Sequence, residues 1–169
     1  MRNITQACLH EKFYYEPETG VFTWKKPVNR AFIGRVAGFL DREGYVYIYV
    51  NKKLYPAHRL AWLYVYGFWP TNLIDHVNGI RDDNRIINLR EATRTENNRN
   101  SRISKKNTSG VKGVYWSKRE KKWRARCGLN GKQYSLGYFT EITDAKRALI
   151  EFRKRYHGEF FNQGDNYSE

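Results

Sequence analysis

The sequence predicts an α+β fold in two small parts, and three observations support this prediction. The 169 residues are 40% apolar, which allows a packed core in one or two small domains. Residues 13–57 contain short β-favouring segments separated by turns. After a polar stretch near residue 100, three strand-like segments precede one helix with regularly spaced apolar residues.

The N-terminal part is expected to contain several short strands. A predicted turn at residues 17–20 opens this pattern, because Pro and Gly favour turns. β-Favouring residues are then concentrated at residues 21–24, 45–50 and 54–56. A helix is predicted over residues 58–66, and Gly67 is suited to end it.

The C-terminal part follows a polar and basic segment, residues 99–109, which is typical of a linker. Strand-like segments are predicted at residues 111–116, 123–129 and 133–138. The Asn130–Gly131 pair predicts a hairpin turn between the last two. Apolar residues at helical spacing then predict a final helix with Thr143 as its N-cap and Gly158 beyond its end.

The net charge of +14 is concentrated in the middle of the chain. Between Arg81 and Lys132, 16 Lys or Arg residues stand against 5 Asp or Glu residues, a net charge of +11. Such a local excess favours a polyanionic partner, because neutralised phosphates release counterions. A basic surface that binds no partner is the alternative.

The cysteine content and hydropathy exclude several protein classes. The two cysteines form no CxxC pair, which argues against a zinc ribbon or a disulfide framework. Residues 1–20 contain no apolar signal-peptide core, and a run of about 18 apolar residues is absent. We therefore expect an intracellular protein with no membrane association, and nothing in the sequence points to an obligate protein partner.

Residues suited to phosphodiester hydrolysis lie at the basic segment. Asp75 and His76 are adjacent, Asn88 follows twelve residues after His76, and Asn97 follows nine residues later. Residues 93–100 are predicted to form a helix that carries Asn97. Carboxylate and amide oxygens are ligands that Mg²⁺ accepts, and an imidazole with an unperturbed pKa of about 6.5 can accept a proton near neutral pH.

Asp75 and His76 reach one site only under a condition on the backbone. Neighbouring residues of a regular strand point in opposite directions. The two side chains therefore converge only if the backbone is irregular there, and Gly79 in the polar stretch that follows favours such an irregularity.

This motif resembles that of the HNH endonuclease family, which has a ββα-metal fold. The resemblance covers residues 57–62 and 75–100, and it is strongest to phage and intron-encoded homing endonucleases whose third motif residue is Asn. It implies that Asp75 and Asn97 bind Mg²⁺ or Mn²⁺. It also implies that His76 activates water, that Asn88 braces the loop and orients the histidine, and that double-stranded DNA is the substrate.

Other polar residues of this region have weaker functional interpretations. His58 lies at the start of the predicted helix, where a buried or capping histidine is more usual than a catalytic one. Asn84 and Asn98 are interpreted as hydrogen-bonding residues of the loop and the helix. Five arginines suit either phosphate contact or a solvated surface: Arg81, Arg85, Arg90, Arg94 and Arg99.

Residues 109–162 resemble the AP2 DNA-binding domain. The resemblance is carried by residues 109–116, 122–126 and 136–139, by the Ala-rich helix and by residues 156–159. It implies a small three-stranded antiparallel sheet with one helix. It further implies that the sheet face opposite the helix lies in the major groove of DNA.

Strand alternation predicts which side chains occupy the DNA-facing side of that sheet. Trp123, Ala125 and Cys127 share one face, which is expected to be the core face together with Val114, Trp116, Tyr134 and Leu136. The outward set is then Lys112, Tyr115, Arg124, Arg126 and Gln133. Arg and Gln can bind guanine and adenine edges. A sheet that contacts phosphates alone is the alternative.

These interpretations together predict a two-part DNA endonuclease that cuts at a recognised site, as homing endonucleases do, in the host cell of a phage or mobile element. The nuclease region covers residues 1–100, with a β-rich part over 1–57 and a ββα-metal core over 58–100. The remaining parts are a basic linker, 101–108, the AP2-like domain, 109–162, and a tail, 163–169. A non-catalytic, sequence-specific DNA-binding regulator and an RNA-binding protein are the alternatives.

Overall fold

The computed structural model describes residues 4–26, 33–100, 103 and 106–156. These residues form four helices and ten strands, and the strands make four small antiparallel sheets. The predicted mixture of helices with small antiparallel sheets is confirmed. None of the helices in the described ranges has the length and apolar character needed to span a membrane.

The elements occur in the following order along the chain. The helices are α1, Gln6–Lys12; α2, Ala57–Tyr66; α3, Arg94–Asn100; and α4, Ile142–Tyr156. The strands are β1, Phe13–Glu16; β2, Val21–Trp24; β3, Phe39–Leu40; β4, Val46–Val50; β5, Lys53–Pro56; β6, Leu73–His76; β7, Leu89–Ala92; β8, Val114–Ser117; β9, Lys122–Leu129; and β10, Lys132–Phe139. A short 3₁₀ helix, Ile86–Asn88, leads into β7.

The chain divides into two compact units, Met1–Ala92 and Thr93–Glu169. Helix α3, which carries the motif residue Asn97, belongs to the second unit. The domain boundaries expected from the sequence stay predictions, as does the ββα-metal arrangement. The tail at residues 163–169, Gly158 and four of the eight linker residues lie outside the described residues.

The first unit contains three small sheets and one apolar core. The sheets are the β1–β2 hairpin, the β3–β4–β5 sheet and the β6–β7 hairpin. Phe13 of β1, Phe22 of β2, Ile48 of β4 and Leu60 of α2 are almost completely buried in one cluster. Burial of these apolar side chains therefore joins the first two sheets to α2.

Helix α2 begins and ends close to the residues that the sequence predicts. It starts at Ala57, and Gly67 ends it with a left-handed φ of +82°. The N–H of Gly67 donates to the Leu63 carbonyl at 3.0 Å, as expected for a glycine at the end of a helix. No sequence pattern predicted α1, a short helix whose N-cap, Thr5, accepts a hydrogen bond from the Cys8 N–H.

The β1–β2 turn makes a close approach to the loop that follows β6. Gly20, with a φ of +73°, lies so near the backbone of Asn84 and Arg85 that a Cβ atom would collide with both. The hydroxyl of Tyr15 in β1 donates to the Asn84 carbonyl at 2.7 Å. The predicted turn at residues 17–20 therefore also supports a loop in the motif region.

The second unit contains the three-stranded sheet β10–β9–β8 and helix α4. Ala125 and Cys127 of β9 pack with Val114, Ala145 and Leu149, so the core face of β9 is the predicted one. The N-cap prediction for Thr143 is wrong. The N–H of Ala145 donates to the Glu141 carbonyl at 3.4 Å, and the first helical turn therefore starts before Thr143.

Three positions of this sheet depart from the sequence prediction. Ser135 pairs with Arg126 and Gly137 with Ala125, which leaves Leu136 as the extra residue of a β-bulge. Trp116 and Tyr134 were expected in the core but are 47% and 40% exposed. Trp116 lies on the edge strand β8 and packs edge-on against Trp123, with 5.2 Å between ring centroids.

Gly20→Ala is expected to destabilise the protein more than Gly44→Ala does. Both glycines have positive φ, +73° and +86°, so alanine is strained at either position, but a Cβ at Gly44 meets open space. The collision at Gly20 should remove about 1–3 kcal/mol more of the free energy of unfolding. Urea unfolding of the two variants measures the difference, and equal losses would contradict the close approach.

Candidate active site

Asp75 and His76 end strand β6, which pairs with β7 in an antiparallel hairpin. Asp75 lies opposite Arg90, and His76 lies opposite Leu89. Both motif side chains are buried, with exposed fractions of 4% and 5%. The strand is regular up to His76, and the chain turns only beyond it, where the Gly79 N–H donates to the His76 carbonyl at 2.8 Å.

The irregular backbone that would bring these two side chains to one point is therefore absent. Successive residues of a regular strand face opposite sides. Asp75 accordingly contacts Arg90 across the hairpin, whereas the ring of His76 lies near Tyr45 and His58. The two motif residues have different surroundings in this structure.

Asp75 is held by an ion pair with Arg90. Its Oδ2 atom accepts hydrogen bonds from Arg90 Nε at 3.0 Å and Nη2 at 2.9 Å. The two side chains are 5% and 17% exposed, so the pair is largely removed from water. Arg90 was expected either to contact phosphate or to lie on a solvated surface. Its buried ion pair with Asp75 fits neither role. The hairpin register alone brings the two residues together.

The imidazole of His76 lies among aromatic rings and one buried amide. The His58 ring packs edge-on against it, with 5.1 Å between centroids, and the Tyr45 ring lies 6.0 Å away. Asn84 Oδ1 lies 3.4 Å from His76 Nε2. The same Asn84 is 2% exposed, so it is part of the protein interior.

The orientation of the Asn84 amide determines which nitrogen of His76 carries the proton. Asn84 Nδ2 donates to the Asp82 carbonyl at 3.1 Å, so the amide oxygen faces the histidine. An amide oxygen can only accept, so this 3.4 Å contact favours the tautomer with hydrogen on His76 Nε2. The in-plane lone pair of the neutral ring is then on Nδ1.

The two histidines differ in how strongly burial disfavours their protonation. Burial lowers the pKa of His76, and its hydrogen bond with Asn84 and the nearby Asp75 charge partly oppose this effect. Burial, with a further contribution from His76, lowers the pKa of His58 to about 3. His58 Nδ1 is buried and has no hydrogen-bond partner in the described part of the chain. Both rings are therefore neutral near pH 7.

Asn88 holds the ends of the loop between β6 and β7 together. Its Oδ1 accepts from the Asn78 N–H at 3.0 Å, and its Nδ2 donates to the Asp83 carbonyl at 2.8 Å. The Val77 N–H donates to the Asn88 carbonyl at 2.9 Å. These bonds cross-link the loop, but the side-chain contact described for His76 comes from Asn84 and not from Asn88.

A side-chain network inside the loop supports this arrangement. Asn78 Nδ2 donates to Asp83 Oδ2 at 2.6 Å, and Arg85 forms a salt bridge with the same carboxylate, also at 2.6 Å. The hydrogen bond from Arg85, followed by the one from Asn78, holds the pKa of Asp83 below its usual value. Asp83 is therefore ionised near neutral pH and stabilises the loop.

The ligand set for a metal ion is small. Within residues 4–26, 33–100, 103 and 106–156, no group of three or more His, Cys, Asp or Glu side chains is arranged to hold a metal ion. Asp75 supplies one carboxylate, and Asn97 is half-buried on α3 in the second unit. Mg²⁺ is commonly bound through one or two carboxylates together with substrate phosphates and water, so the donor chemistry of Asp75 and Asn97 fits this ion.

Three of the site's contacts could not be assigned from the motif. Asn84 was interpreted as a loop residue, but its place eight residues after His76, inside the motif loop, is a signal that it could reach the ring. Arg90 could have been found by pairing β6 with β7 around that loop. The contact between His58 and His76 has no local sequence signal, because the two residues belong to different elements.

The outward face of the second unit's sheet carries two arginine–tyrosine contacts. Arg124 lies over the Tyr138 ring, 5.3 Å from its centroid, and Arg126 lies over the Tyr115 ring at 5.4 Å. Tyr138 reaches this face because the bulge at Leu136 reverses the alternation. The tyrosine rings therefore orient two of the predicted DNA-binding side chains.

Two other predicted DNA-binding residues differ in exposure. Gln133 is exposed on β10, opposite Gly128. Lys112 was expected to face outward, but it is half-buried, and its ammonium donates to the Arg99 carbonyl at 2.8 Å. Lys112 precedes β8, and strand alternation therefore does not apply to it.

Comparison with known proteins adds independent information. Residues 55–99 match the HNH endonuclease family, and this range contains all four proposed motif residues. The chain is 34% identical over 87 residues to Protein 3.8 of Escherichia phage T7, an alignment that covers 52% of this chain and 71% of the phage protein. No solved structure matches the chain.

The matched range includes helix α2, the β6–β7 hairpin that buries Asp75 and His76, and most of α3. From these matches, the chain belongs to the HNH endonuclease family.

Proposed function

We propose that this protein hydrolyses phosphodiester bonds of double-stranded DNA with His76 as the general base. The HNH endonuclease family implies nuclease activity on DNA, and its members generally use a divalent metal ion. The observation that carries the proposal is the state of His76. Its ring is buried and neutral, and its Nε2 is directed at Asn84 within the range that matches the family.

In the proposed reaction His76 accepts a proton from a water molecule. The neutral imidazole uses the lone pair on Nδ1, because Nε2 carries the hydrogen that faces Asn84. As the proton moves to the ring, the water oxygen forms a bond to phosphorus and the bond to the leaving oxygen of the DNA strand breaks. The Asn84 amide oxygen stabilises the imidazolium that forms, since it accepts from Nε2–H.

We assign the metal-binding role to Asp75 and Asn97, following the motif. A bound Mg²⁺ or Mn²⁺ would polarise the phosphate and stabilise charge on the leaving oxygen. Arg90 fixes the Asp75 carboxylate through Oδ2, which makes Arg90 a positioning residue. Asn88 has the corresponding role for the loop, because its amide joins Asn78 to Asp83.

We further propose that the second unit recognises the DNA sequence through an AP2-like sheet. Support comes from the charge and exposure of its outward face, where Arg124 and Arg126 lie beside tyrosine rings and Gln133 is exposed. A homing endonuclease role in the host cell of a phage or mobile element is part of this proposal. The phage origin of the related Protein 3.8 supports it.

The second candidate function is a DNA-binding regulator without catalysis. Two observations favour it. The regular strand β6 leaves Asp75 and His76 with different surroundings. The ion pair of Asp75 with Arg90 also places a guanidinium at Oδ2, where it competes with a cation for the same carboxylate. A cleavage assay separates the two functions directly.

Cleavage of DNA in Mg²⁺ is expected, and it should be lost in EDTA. His76→Ala should lower the cleavage rate by about 10²–10⁴-fold without loss of DNA affinity, because the general base is removed. The substrate is pooled phage and host genomic DNA, and products are read by sequencing their ends. His10→Ala is the matched control, since His10 is exposed and stacks on Tyr64.

Two outcomes would contradict these assignments. Undiminished cutting in EDTA would exclude the metal, and a His76→Ala variant as fast as the wild type would exclude His76 as the base. His58→Phe retains a ring against His76 and is expected to keep most activity. If it loses as much activity as His76→Ala, His58 also contributes to catalysis.

Arg90→Gln is expected to lower the free energy of unfolding by about 3–5 kcal/mol, because it leaves a buried carboxylate without its partner. Arg85→Gln, which breaks a more exposed pair with Asp83, should cost less than about 1 kcal/mol. Urea unfolding measures both. The double variant Asp75→Asn with Arg90→Gln should recover stability but not cleavage. Recovery of both would show that Asp75 serves only the fold.

Arg124→Ala is expected to relax discrimination at one or two base pairs by about 1–3 kcal/mol, since a bidentate base contact is lost. The cleavage rate at saturating DNA should not change. Selection of bound sequences from a randomised duplex library, by the variant and the wild type in parallel, measures this effect. A uniform loss of affinity with unchanged sequence preference would favour a sheet that contacts only phosphates.

A further inference from the structure

An exposed aromatic surface lies on the β3–β4–β5 sheet of the first unit. In the register of this sheet, Phe39 of β3 lies opposite Tyr47 of β4. Tyr49 of β4 lies opposite Leu54 of β5. Directly paired residues of antiparallel strands share a face, and so do alternate residues of one strand. These four residues therefore form one face of the sheet, which we call the aromatic face.

The opposite face of the sheet packs on the core. Ile48, which lies between Tyr47 and Tyr49, is completely buried in the apolar cluster of the first unit. In contrast, Phe39, Tyr49 and Leu54 are 54%, 58% and 51% exposed. The aromatic face is therefore not part of the packing that stabilises the unit, and it leaves large apolar side chains in contact with solvent.

Gly38 allows the edge strand β3 to lie close to β4. It has a φ of +105°, and a Cβ atom at this position would lie 2.8 Å from the Tyr47 carbonyl oxygen. A larger residue would move β3 away from β4, and Phe39 with it. The position of Phe39 beside Tyr47 therefore depends on this glycine.

Cations lie at both ends of strand β4. Arg42 is exposed in the turn between β3 and β4, and Lys52 and Lys53 are exposed at the turn into β5. None of these three side chains forms a salt bridge with a residue that the structure describes. The nearby carboxylates are occupied, because Asp41 accepts hydrogen bonds from two backbone N–H groups and Glu43 is in a salt bridge. The ends of the aromatic face therefore suit an anionic ligand.

We propose that the aromatic face binds single-stranded DNA, with bases stacked on its rings and phosphates beside the cations at its ends. Nucleobases of any sequence stack on tyrosine and phenylalanine, and cations beside such a platform contact the backbone. This inference goes beyond the proposed cleavage of duplex DNA, although the choice of DNA as the ligand rests on it. Cleavage leaves strand ends that can unpair, so the proposed reaction supplies such a ligand.

The spacing of the rings favours a single strand over a duplex. Tyr47 and Tyr49 lie two residues apart on one strand, a rise of about 6.8 Å. Bases stacked in a duplex are about 3.4 Å apart, and each is covered by its neighbours. Only an extended strand, whose bases are unstacked from one another, can place neighbouring bases on the two tyrosine rings.

The area of the aromatic face argues against a second copy of the chain as its partner. Large side chains bury roughly 150–250 Å² each, so the exposed halves of Phe39, Tyr49 and Leu54 offer roughly 300 Å². A standard protein–protein interface buries about 800 Å² on each partner. The face is therefore too small for a stable dimer, whereas one base on each ring covers it.

Binding of a fluorescently labelled single strand of about 12 nucleotides to the full-length protein tests the proposal. Anisotropy is measured in EDTA, so that metal-dependent cleavage is suppressed. Tyr49→Ala should weaken binding by about 5- to 150-fold, because one stacking contact is lost. Tyr14→Ala is the matched control and should leave the affinity unchanged, since Tyr14 is 63% exposed but lies on β1, outside the aromatic face.

A conservative variant separates stacking from folding. Tyr49→Phe retains the ring and should bind the single strand like the wild type, whereas a loss equal to that of Tyr49→Ala would overturn the stacking role. The affinity for a duplex of the same sequence should be the same for Tyr49→Ala and the wild type. Equal weakening of single-strand and duplex binding would overturn the proposal, as would equal effects of Tyr49→Ala and Tyr14→Ala.

The salt dependence of single-strand binding tests the phosphate contacts. Lys53→Gln should lower the slope of log affinity against log salt by about 0.7. Lys26→Gln is the control and should leave the slope unchanged, because Lys26 already forms a salt bridge with Glu11 at 2.9 Å. Equal changes of slope in the two variants, or no change in either, would contradict the phosphate contacts and the proposal with them.

Two further measurements test other occupants of the aromatic face. A single-stranded RNA of the same sequence is titrated in parallel, and tighter binding of the RNA would assign the face to RNA. Sedimentation velocity measures the oligomeric state of the free protein, and a dimer that Tyr49→Ala dissociates would assign the face to a second copy. Either result overturns the proposal.

Failure of this proposal is distinguishable from failure of the nuclease function, because binding is measured without cleavage. A protein that binds single strands through Tyr49 and never cuts duplex DNA contradicts the nuclease function alone. A protein that cuts duplex DNA while its Tyr49→Ala variant binds single strands like the wild type contradicts the aromatic-face assignment alone.

Discussion

The burial of Asn84 is the constraint on which the motif region depends. A buried amide must be hydrogen-bonded, and Asn84 satisfies this with His76 at Oδ1, Asp82 at Nδ2 and Tyr15 at its carbonyl. These bonds hold the loop against β1, and they favour the His76 tautomer with hydrogen on Nε2. Gly20 allows the β1–β2 turn to close on this loop, so a turn far away in sequence supports the proposed catalytic histidine.

Charged side chains have different surroundings in the two units. In the first unit the buried Asp75 carboxylate is paired with Arg90, so its charge is compensated within the hairpin. In the second unit, Lys112 and Arg153 lie in a cavity whose described lining is free of carboxylates. An ion pair of the first kind positions a side chain, whereas the cations of the second unit lie beside the predicted DNA-binding residues Arg126 and Gln133. This contrast fits a division between proposed chemistry and proposed DNA contact.

The HNH motif is divided between the units. Asp75, His76 and Asn88 belong to the first unit, and Asn97 belongs to the second with α3. Within the second unit, Arg99 of α3 contacts Asn130 in the β9–β10 turn. The helix that carries the third motif residue is therefore held by the sheet that we propose to read DNA.

The sequence by itself determined the local elements and the motif. Strands β2, β4, β5 and β8 to β10, helix α2 and the hairpin turn at Asn130–Gly131 follow from periodicity and turn chemistry, which act between near neighbours. Helix α1 and strands β3, β6 and β7 were not predicted individually. The family match contains the motif residues. Tertiary structure alone decided the partners of the polar groups. Arg90 meets Asp75 because of strand register, and Lys112 turns inward because α3 supplies a carbonyl acceptor. Such contacts depend on how separate elements pack, which no local pattern encodes.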